Sequence, residues 1–470
     1  MPVLPGEGPR ARALYRAIRQ LIEAGRVPAG AKLPTTRDLA QRLRLSRAAA
    51  VAAFEMLGAE GFVEARTGAG TFVAARVPDL SQAKAPSAAS LPKKSRTLSS
   101  RAPASVLQPK ACALGVAVSD PRTLRIFRRL LSRDLMRPGP AHFHYGDPRG
   151  SPALREAIAA YLMTARGVRC HADQILITAG TQQGLDLVIR AALKPGDAAW
   201  IEDPGYPMAR AALLGAGAKL AGLPVDASGF DVARGDASRP ARLVYVTPSH
   251  QFPLGVTMTM ARRLALIDWA QRHDAWIIED DYDSEFRYAG PPLTALQGMD
   301  GGGRVAYLGT FSKVLFPGLR VGYAVVPEPL LGAVLELRAR SDRHPPTVME
   351  NALAALISEG HFAAHLRRAR RTVQAARDTL VAQLQTHARA HLAVTVPEQG
   401  LHLVAALDHP RRDTEIVTTA EAAGLAVRAL SPMYLDAPAR QGLVLGFSGF
   451  SVEALRRAAR TLGEVLRAER

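Results

Sequence analysis

The chain has 470 residues, 48% of them apolar, which predicts two or three domains with ample material for packed cores. Its two cysteines, Cys112 and Cys170, belong to no Cys–Cys or Cys–His motif, which argues against a metal site and a disulfide framework and is compatible with a reducing cytoplasm. Neither a signal-peptide pattern nor a membrane-spanning apolar run is visible, so we expect no membrane association.

Positive charge is concentrated near the N-terminus. Residues 1–110 hold 18 Lys and Arg but only 7 Asp and Glu, which is +11 of the net charge of +18. The arginine bias of a GC-rich genome would spread the charge more evenly. The asymmetry therefore predicts an anionic partner, nucleic acid first, for the N-terminal part.

Composition divides the chain into three stretches. We predict a first domain at 1–75, and a flexible basic linker at 76–110 that is rich in Ser, Ala and Pro. A larger domain is predicted at 111–470, with a C-terminal subdomain from about residue 340 to 470.

The first predicted elements are helices. The stretch "LYRAIRQLIEAG" has apolar residues at helical spacing. The threonine pair at 35–36 is a candidate N-cap of a second helix, and Ser46 of a third at 48–57. Two short helices joined by a tight turn form a helix-turn-helix, which would direct Arg47 into a DNA major groove.

A hairpin is predicted next, at 61–74. The sequence "GFVEARTGAGTFVA" indicates two strands around a glycine-rich turn. We expect Arg66 on this turn, where glycine lets the backbone approach a minor groove or a phosphate. The plainer interpretation of 1–75 is a small helical docking domain, but helix spacing, hairpin and basic excess together favour DNA binding.

From residue 111 the pattern changes to short apolar runs that alternate with helical stretches. Examples are "QILIT", "AAWIED", "RLVYVTP", "AWIIEDDY" and "RVAYLGT". Apolar runs separated by helices predict mostly parallel strands covered on both faces.

One lysine in this part is unusual. The chain has eight lysines against fifty-two arginines, and Lys313 is the only lysine after Lys219. A random lysine here would be a snorkelling surface residue. However, Thr310, Ser312 and Arg320 surround Lys313 with phosphate-binding groups. An amine with a lowered pKa beside a phosphate pocket suits pyridoxal phosphate (PLP), which has both an aldehyde and a phosphate.

Other motifs supply the remaining parts of such a site. Asp280 follows an apolar strand and could hold the proton of the cofactor's ring nitrogen, with Tyr282 near the ring's phenolic oxygen. A strand, a small-residue turn and a helix in "ILITAGTQQGLDLV" put Gly180, Thr181 and Gln182 at a helix start that can bind phosphate. Tyr206 offers an aromatic face.

The N-terminal motif resembles a known family. The stretch "LPTTRDLAQRLRLSRAAAVAAFEMLGAEGFVEARTGAGTFV" resembles the GntR-type winged helix-turn-helix almost throughout. The resemblance implies DNA contacts from six positions: Arg37, Ser46, Arg47, Arg66, Thr67 and Gly70.

The larger part resembles fold-type I, aspartate-aminotransferase-like PLP enzymes. The stretches "HYGDPRGSPALREAIAAYL", "EDPGYP", "TPSHQFPLGVTM", "EDDYDSEF" and "GTFSKVLFPGLRVGY" match that pattern. With the winged helix, the chain resembles MocR-type regulators of the GntR superfamily over nearly its whole length. The implied fold is a winged helix-turn-helix, then an α/β domain with a mostly parallel sheet and a smaller C-terminal α/β subdomain.

The resemblance also implies site roles. Lys313 would form a Schiff base with PLP, Asp280 would pair with the ring nitrogen, and Tyr282 would bind the phenolic oxygen. Tyr206 would stack on the ring, and Tyr145 would reach the phosphate of a neighbouring subunit. The phosphate would be held by Gly180, Thr181, Gln182, Thr310 and Arg320.

Two departures from working aminotransferases bear on activity. The stretch 252–255 reads "FPLG" where those enzymes commonly have Asn-Pro-x-Gly, and "GLVLGFSGF" lacks their C-terminal arginine for a substrate carboxylate. Arg428 is the candidate substitute. Both departures disfavour efficient transamination while leaving cofactor binding intact.

Three functions follow from these observations. The first is a PLP-dependent transcriptional regulator that binds operator DNA and senses an amine, an amino acid or PLP. The second is an active aminotransferase with an accessory DNA-binding domain, and the third is a regulator whose PLP domain only dimerises. We expect the first, as a cytoplasmic homodimer, head-to-tail if one chain's winged helix lies against the other's large domain.

Overall fold

The computed structural model describes residues 10–75, 109–139, 142–290, 293–301 and 303–468. The linker predicted at 76–110 lies outside these residues, apart from its last two. The chain divides into two compact units, Met1–Ser100 and Arg101–Arg470. None of the described helices combines the length and apolarity that crossing a membrane requires.

The first unit contains three helices and a hairpin. Its elements are α1 (Arg10–Glu23), α2 (Thr36–Arg42), α3 (Arg47–Ala59), β1 (Val63–Arg66) and β2 (Gly70–Val73). Side chains at helical spacing on α1, including Leu14 and Ile18, are buried against α2 and α3. This is the apolar stripe that the sequence predicts.

Both predicted helix caps are formed. The Thr35 hydroxyl accepts the Asp38 N–H at 3.1 Å, and the Ser46 hydroxyl accepts the Ala49 N–H at 3.2 Å. Two details differ from the prediction. The third helix runs beyond 48–57 at both ends, and Arg66 is the last residue of β1, paired with Gly70, rather than a turn residue.

The second unit is built on an eight-stranded sheet. Its strands are β3 (Ile175–Thr178), β4 (Ala198–Asp203), β5 (Lys219–Asp226), β6 (Gly229–Phe230), β7 (Leu243–Val246), β8 (Trp276–Asp281), β9 (Val305–Thr310) and β10 (Gly322–Val325). They follow the order β3-β10-β9-β8-β7-β4-β5-β6. Strands β5, β4, β7, β8 and β9 are parallel, whereas β10 is antiparallel to both its neighbours and β6 to β5.

Helices cover both faces of this sheet. They are α4 (Pro121–Leu135), α5 (Pro152–Arg166), α6 (Thr181–Ala192), α7 (Pro207–Gly215), α8 (Met260–Arg272), α9 (Leu296–Asp300) and α10 (Glu328–Ser341). Alternate strand residues belong to different cores: Leu308 packs with α6 and α10, and Tyr307 packs on the opposite face. The sheet is therefore buried on both sides, which explains its uninterrupted apolar strands.

The C-terminal part forms a smaller α/β layer. Its elements are α11 (Glu350–Ser358), α12 (His361–His387), β11 (Leu392–Val394), β12 (His402–Leu407), α13 (Asp413–Ala422), β13 (Arg428–Ala429), β14 (Gly442–Gly446) and α14 (Val452–Arg467). The strands form an antiparallel sheet in the order β11-β12-β14-β13. Leu403, Leu443 and Leu445 on one of its faces pack in the same core as α12 and α14.

Candidate cofactor site and DNA-binding surface

The predicted cofactor residues meet at one edge of the eight-stranded sheet. Strands β3, β4, β8 and β9 point the same way, so their carboxyl ends lie along this edge. Asp280 is the second-last residue of strand β8, and Lys313 lies in the turn after β9. Open α/β sheets bind their ligands at such an edge.

A helix start and an arginine form the candidate phosphate pocket. Gly180 is the N-cap of α6 with φ +96°, and the Arg320 guanidinium donates to the Ala179 carbonyl at 2.7 Å. A Cβ on Gly180 would lie 3.3 Å from that guanidinium, so only glycine leaves the gap open. Thr181 and Gln182 begin the helix, whose free N–H groups favour an anion.

The two hydroxyl groups predicted for this pocket belong to the last residue of β9, Thr310, and to Ser312, which precedes Lys313. The Thr310 hydroxyl is buried and accepts the Ser312 N–H at 3.1 Å. The Ser312 hydroxyl is also buried and has no hydrogen-bond partner among the described residues. It is therefore free to bind a phosphate oxygen.

Asp280 is a buried carboxylate with one oxygen unused. Oδ2 accepts the Tyr245 hydroxyl at 2.7 Å, while Oδ1 is buried without a partner among the described residues. Burial raises the pKa of Asp280 to about 7, although the Tyr245 hydrogen bond lowers it and Asp281 adds to the rise. A buried acceptor without a donor costs about 1–3 kcal/mol, so a ligand that donates a proton here would be held firmly.

Lys313 lies half-buried with its amine close to Gly115. Burial lowers the pKa of Lys313; Asp283 and Asp280 oppose the shift, and Arg320 adds to it. A lowered pKa increases the fraction of neutral amine, which is the form that attacks an aldehyde. No hydrogen bond or ion pair engages this amine within the described ranges.

Aromatic side chains flank the site. Tyr206, the N-cap of α7, packs edge-on against Phe252 with ring centroids 5.5 Å apart. Phe252 occupies the place of the asparagine that aminotransferases commonly have. The Tyr282 hydroxyl donates to the His250 carbonyl at 3.0 Å, so it must turn to reach a cofactor oxygen.

A buried polar cluster behind Tyr282 is absent from the sequence prediction. His250 Nδ1 lies 2.9 Å from an Asp283 oxygen, and its Nε2 has no described partner. His402 Nε2 lies 3.1 Å from the Pro253 carbonyl, and burial, reinforced by His250, lowers the pKa of His402 to about 3. His402 is therefore neutral at physiological pH.

These two histidines and Asp283 offer ligand atoms within 4.8 Å of one another, as some metal sites do. His250 Nδ1 is held by Asp283 and His402 Nε2 by the Pro253 carbonyl, so both rings are oriented by protein partners, and the absence of a metal stays a prediction. The sequence signals were present: Asp283 lies in "EDDYDSEF" and His250 in "TPSHQFPLGVTM". Their histidine–carboxylate pairing needed the fold to be seen.

Two predicted residues lie away from this cluster. Tyr145 is 73% exposed, with the Arg343 guanidinium 3.8 Å from its ring centroid. Arg428 is exposed on β13, opposite Val444, on the sheet face that also carries His402. Their assignments to a neighbouring subunit and to an effector stay predictions.

Most of the residues predicted to contact DNA are exposed to solvent in the first unit. Arg37 is exposed on α2, Arg47 is exposed at the start of α3, and Arg66, Thr67 and Gly70 are exposed in the hairpin. Ser46 is the α3 N-cap.

Lys32 is an additional cation that the sequence prediction missed. Arg66 lies 4.7 Å from the centroid of the Phe72 ring, and the Lys32 amine lies 5.9 Å from the same centroid. The two cations are therefore grouped at the hairpin by one aromatic ring.

The residues at the sheet edge fit PLP. Asp280 Oδ1 and the Ser312 hydroxyl are buried groups without described partners, and the gap at Gly180 lies beside a guanidinium. Together with the amine of Lys313, they match a proton-donating ring nitrogen, a phosphate and an aldehyde. The individual assignments stay predictions.

Comparisons with known proteins agree with this geometry. Residues 10–73 match the family of bacterial regulatory proteins of the gntR type, and residues 129–462 match aminotransferase class I and II. The probable rhizopine catabolism regulatory protein MocR of Rhizobium meliloti is 38% identical, over 97% of this chain and 93% of that protein.

A second regulator and a solved aminotransferase structure are also similar to this chain. The pyridoxine biosynthesis transcriptional regulator PdxR of Corynebacterium glutamicum is 33% identical, over 94% of this chain and 93% of its own. The kynurenine aminotransferase of Pyrococcus horikoshii, solved with PMP, has a TM-score of 0.70 and 25% identity, covering 83% of this chain and 98% of that one. The chain therefore belongs to the MocR-type regulators, in which a gntR-family helix-turn-helix domain precedes an aminotransferase class I and II domain.

Proposed function

We propose that this protein is a PLP-dependent transcriptional regulator that binds operator DNA through its winged helix and senses an amine, an amino acid or PLP itself. The observation that carries the proposal is Asp280, a buried carboxylate with an unpartnered oxygen, at the same sheet edge as Lys313. A domain that served only to dimerise would gain nothing from a buried acceptor left unpaired.

The geometry of the site supports the following proposed cofactor roles. When bound, PLP supplies an aldehyde that condenses with an amine with loss of water, and a protonated ring that withdraws electrons. Lys313 provides the amine, and Asp280 holds the ring proton. Arg320 and the start of α6 bind the phosphate, and Tyr206 packs on the ring.

Regulation requires that the effector distinguish two arrangements of the protein. An effector amine that competes with Lys313 at this site would change the free energy of one arrangement relative to the other, and this difference would set the change in DNA affinity. The exposed cations Arg37, Arg47 and Arg66 provide the DNA surface. Since its target is chromosomal DNA, we place the protein in the cytoplasm.

A homodimer is part of the proposal. Met136 is 82% exposed, Phe143 74% and Tyr145 73%, and such large apolar side chains favour burial by a second copy. A head-to-tail arrangement would bring each winged helix to its partner's large unit.

The family matches at 10–73 and 129–462 support the predicted domains at 1–75 and 111–470.

Transamination is expected to be residual at most. Lys313, Asp280 and Tyr282 are compatible with slow turnover, and an aromatic-amino-acid aminotransferase of Thermococcus litoralis is 28% identical over 69% of this chain. However, "FPLG" and the missing C-terminal arginine leave Arg428 as the candidate for an effector carboxylate, and it is exposed.

The test uses the purified full-length protein. We expect visible absorbance on adding PLP, specific retention of DNA flanking the gene over scrambled DNA, and a change in that retention with one of a panel of amines. Lys313→Ala should abolish the absorbance, whereas Lys219→Ala, which removes an exposed lysine, should keep it. Robust multiple turnover with amino and keto acids, without specific DNA retention, would refute the regulator in favour of the aminotransferase.

A further inference from the structure

The described part of the larger unit begins with a short segment at 109–118, here named the entry segment. It is bonded to the small C-terminal sheet: Ala426 N–H donates to the Ala111 carbonyl at 2.8 Å, and Gly446 N–H to the Cys112 carbonyl at 2.9 Å. The Ser448 hydroxyl donates to the Val116 carbonyl. The segment therefore lies beside the residues that precede β13 and beside the end of β14.

Two glycines allow this close packing. A Cβ on Gly446 would come closer than 3.0 Å to the Ala113 carbonyl, and a Cβ on Gly449 would come as close to Val116. Cys112, in the middle of the segment, is 1% exposed and packs in the main core. The entry segment is thus an integral layer of the unit, with little room to shift unless its neighbours move.

The same segment touches the amine that the proposed function depends on. Gly115 has φ +71°, and a Cβ there would lie closer than 3.0 Å to the Lys313 amine and 3.2 Å from Lys313 Cε. The amine therefore occupies the space that a side chain at 115 would fill. Lys313 makes no hydrogen bond or ion pair among the described residues, so the space that glycine leaves at position 115 is what accommodates its amine.

We propose that Gly115 positions Lys313 and that the entry segment reports the state of that lysine to the chain leading to the winged helix. The inference rests on the proposed function and adds the route by which the site regulates. The covalent path is short, because the predicted linker ends at residue 110, five residues before Gly115.

The physical basis is a difference in packing between two states. While the amine is free, it fills the space against Gly115. When the amine is engaged by the cofactor, that space is vacated or taken by an effector. Losing or gaining a group of this size changes the packing energy of a close-packed layer. Because its backbone is bonded to Ala426 and Gly446, the segment can respond by loosening those hydrogen bonds.

Hydrogen–deuterium exchange of the full-length protein tests this route. Exchange is followed in peptides covering 76–118, for the protein alone, with PLP, and with pyridoxine 5′-phosphate, which has the same ring and phosphate but no aldehyde. We expect PLP to change exchange in the entry segment at least fivefold. We expect pyridoxine 5′-phosphate to change it less than twofold, and PLP to have no such effect on Lys313→Ala.

Gly115→Ala is the variant that addresses the contact itself, because its methyl group must displace the amine. Gly360→Ala is the matched control: its φ is +78°, and a Cβ there would have nothing within 4 Å. Both bear the strain of a left-handed alanine, but only Gly115→Ala should lose at least four-fifths of the PLP-dependent change. If Gly115→Ala does not fold, the wild-type comparison of the two vitamers still decides.

The outcomes separate the inference from the function. Wild-type protein that shows the absorbance of bound PLP and a PLP- or amine-dependent DNA affinity, but unchanged exchange in the entry segment, overturns the inference alone. If Gly115→Ala shows the same PLP-dependent change in exchange as the wild type, the inference is also overturned. Absence of PLP absorbance or of specific DNA binding would instead refute the proposed function.

Discussion

Replacing Asp280 by asparagine should improve the stability of the cofactor-free protein and weaken its hold on PLP. Burial raises the pKa of Asp280 to about 7, from a usual value of 3.8. A carboxyl group whose folded pKa is raised stabilises the fold fully below about pH 4, and this contribution is lost as the pH rises through 7. At pH 8 the native state therefore carries an unfavourable buried charge that Asp280→Asn removes.

The magnitude follows from the shift. Between pH 5 and the folded pKa of about 7 lie about two pKa units, each worth about 1.4 kcal/mol. The stability of Asp280→Asn relative to wild type should thus be greater at pH 8 than at pH 5 by about 2–3 kcal/mol. For a unit the size of Arg101–Arg470, the unfolding entropy is about 0.8 kcal/mol/K, so the corresponding shift in melting temperature is about 3 °C.

PLP affinity should change in the opposite direction. Losing a hydrogen bond to a charged partner costs about 1.5–3 kcal/mol, which weakens binding about 10- to 150-fold. Thermal unfolding at pH 5 and pH 8 without PLP, followed by PLP titration monitored by visible absorbance, measures both effects. A variant that binds PLP as tightly as wild type, or whose relative stability is the same at both pH values, would contradict the reasoning.

The neighbouring carboxylate is a matched control. Asp281 lies on the same strand, but it pairs with Arg166 at 2.8 Å and accepts the Tyr307 hydroxyl at 2.5 Å. Asp281→Asn leaves a buried guanidinium without its partner, so it should destabilise the protein by about 3–5 kcal/mol at both pH values.

Three further predictions concern separate parts of the chain. Borohydride treatment of the PLP complex should label the peptide that contains Lys313, and Lys313→Ala should remove the label; a label elsewhere would displace Lys313 from its role. Arg66→Ala should weaken operator and random DNA alike and reduce the slope of log affinity against log salt by about 0.9, so an unchanged slope would exclude a phosphate contact. The buried Asp203 carboxylate accepts the N–H groups of residues 435–437, which are partly exposed, at 2.6–2.8 Å. Asp203→Ala removes that acceptor and should cost about 1–3 kcal/mol in urea unfolding; an unchanged midpoint would show that water replaces the carboxylate.

The fold was predictable because its strongest signals are local. Strands β8 and β9 are short apolar runs in the sequence, and such runs in an open α/β sheet predict a ligand site at their carboxyl ends. The caps Thr35 and Ser46 were found because a hydroxyl before an apolar-periodic stretch has a definite hydrogen-bonding role. In each case neighbours in sequence determine the structure.

Features that depend on distant residues were missed. Strand β10, antiparallel in an otherwise mostly parallel sheet, follows the Lys313 turn, and nothing in its four residues specifies its direction. The pairing of His250 with Asp283 joins residues 33 positions apart, and Lys32 joins Arg66 through the Phe72 ring. Sequence periodicity carries no information about such contacts.

Lys313 is chemically distinct from the arginines that supply most of the positive charge of this chain. Arginine stays protonated at any physiological pH, so the fifty-two arginines of this chain can pair, bind phosphate or contact DNA, but none can act as a neutral amine. Burial lowers the pKa of Lys313, while Asp283 and Asp280 act against it. A ligand that engages Asp280 would remove part of that opposition and free more neutral amine. Binding at the ring nitrogen and reactivity at Lys313 are therefore coupled through the same carboxylate. Asp280→Asn should change both the affinity for PLP and the reactivity of the Lys313 amine.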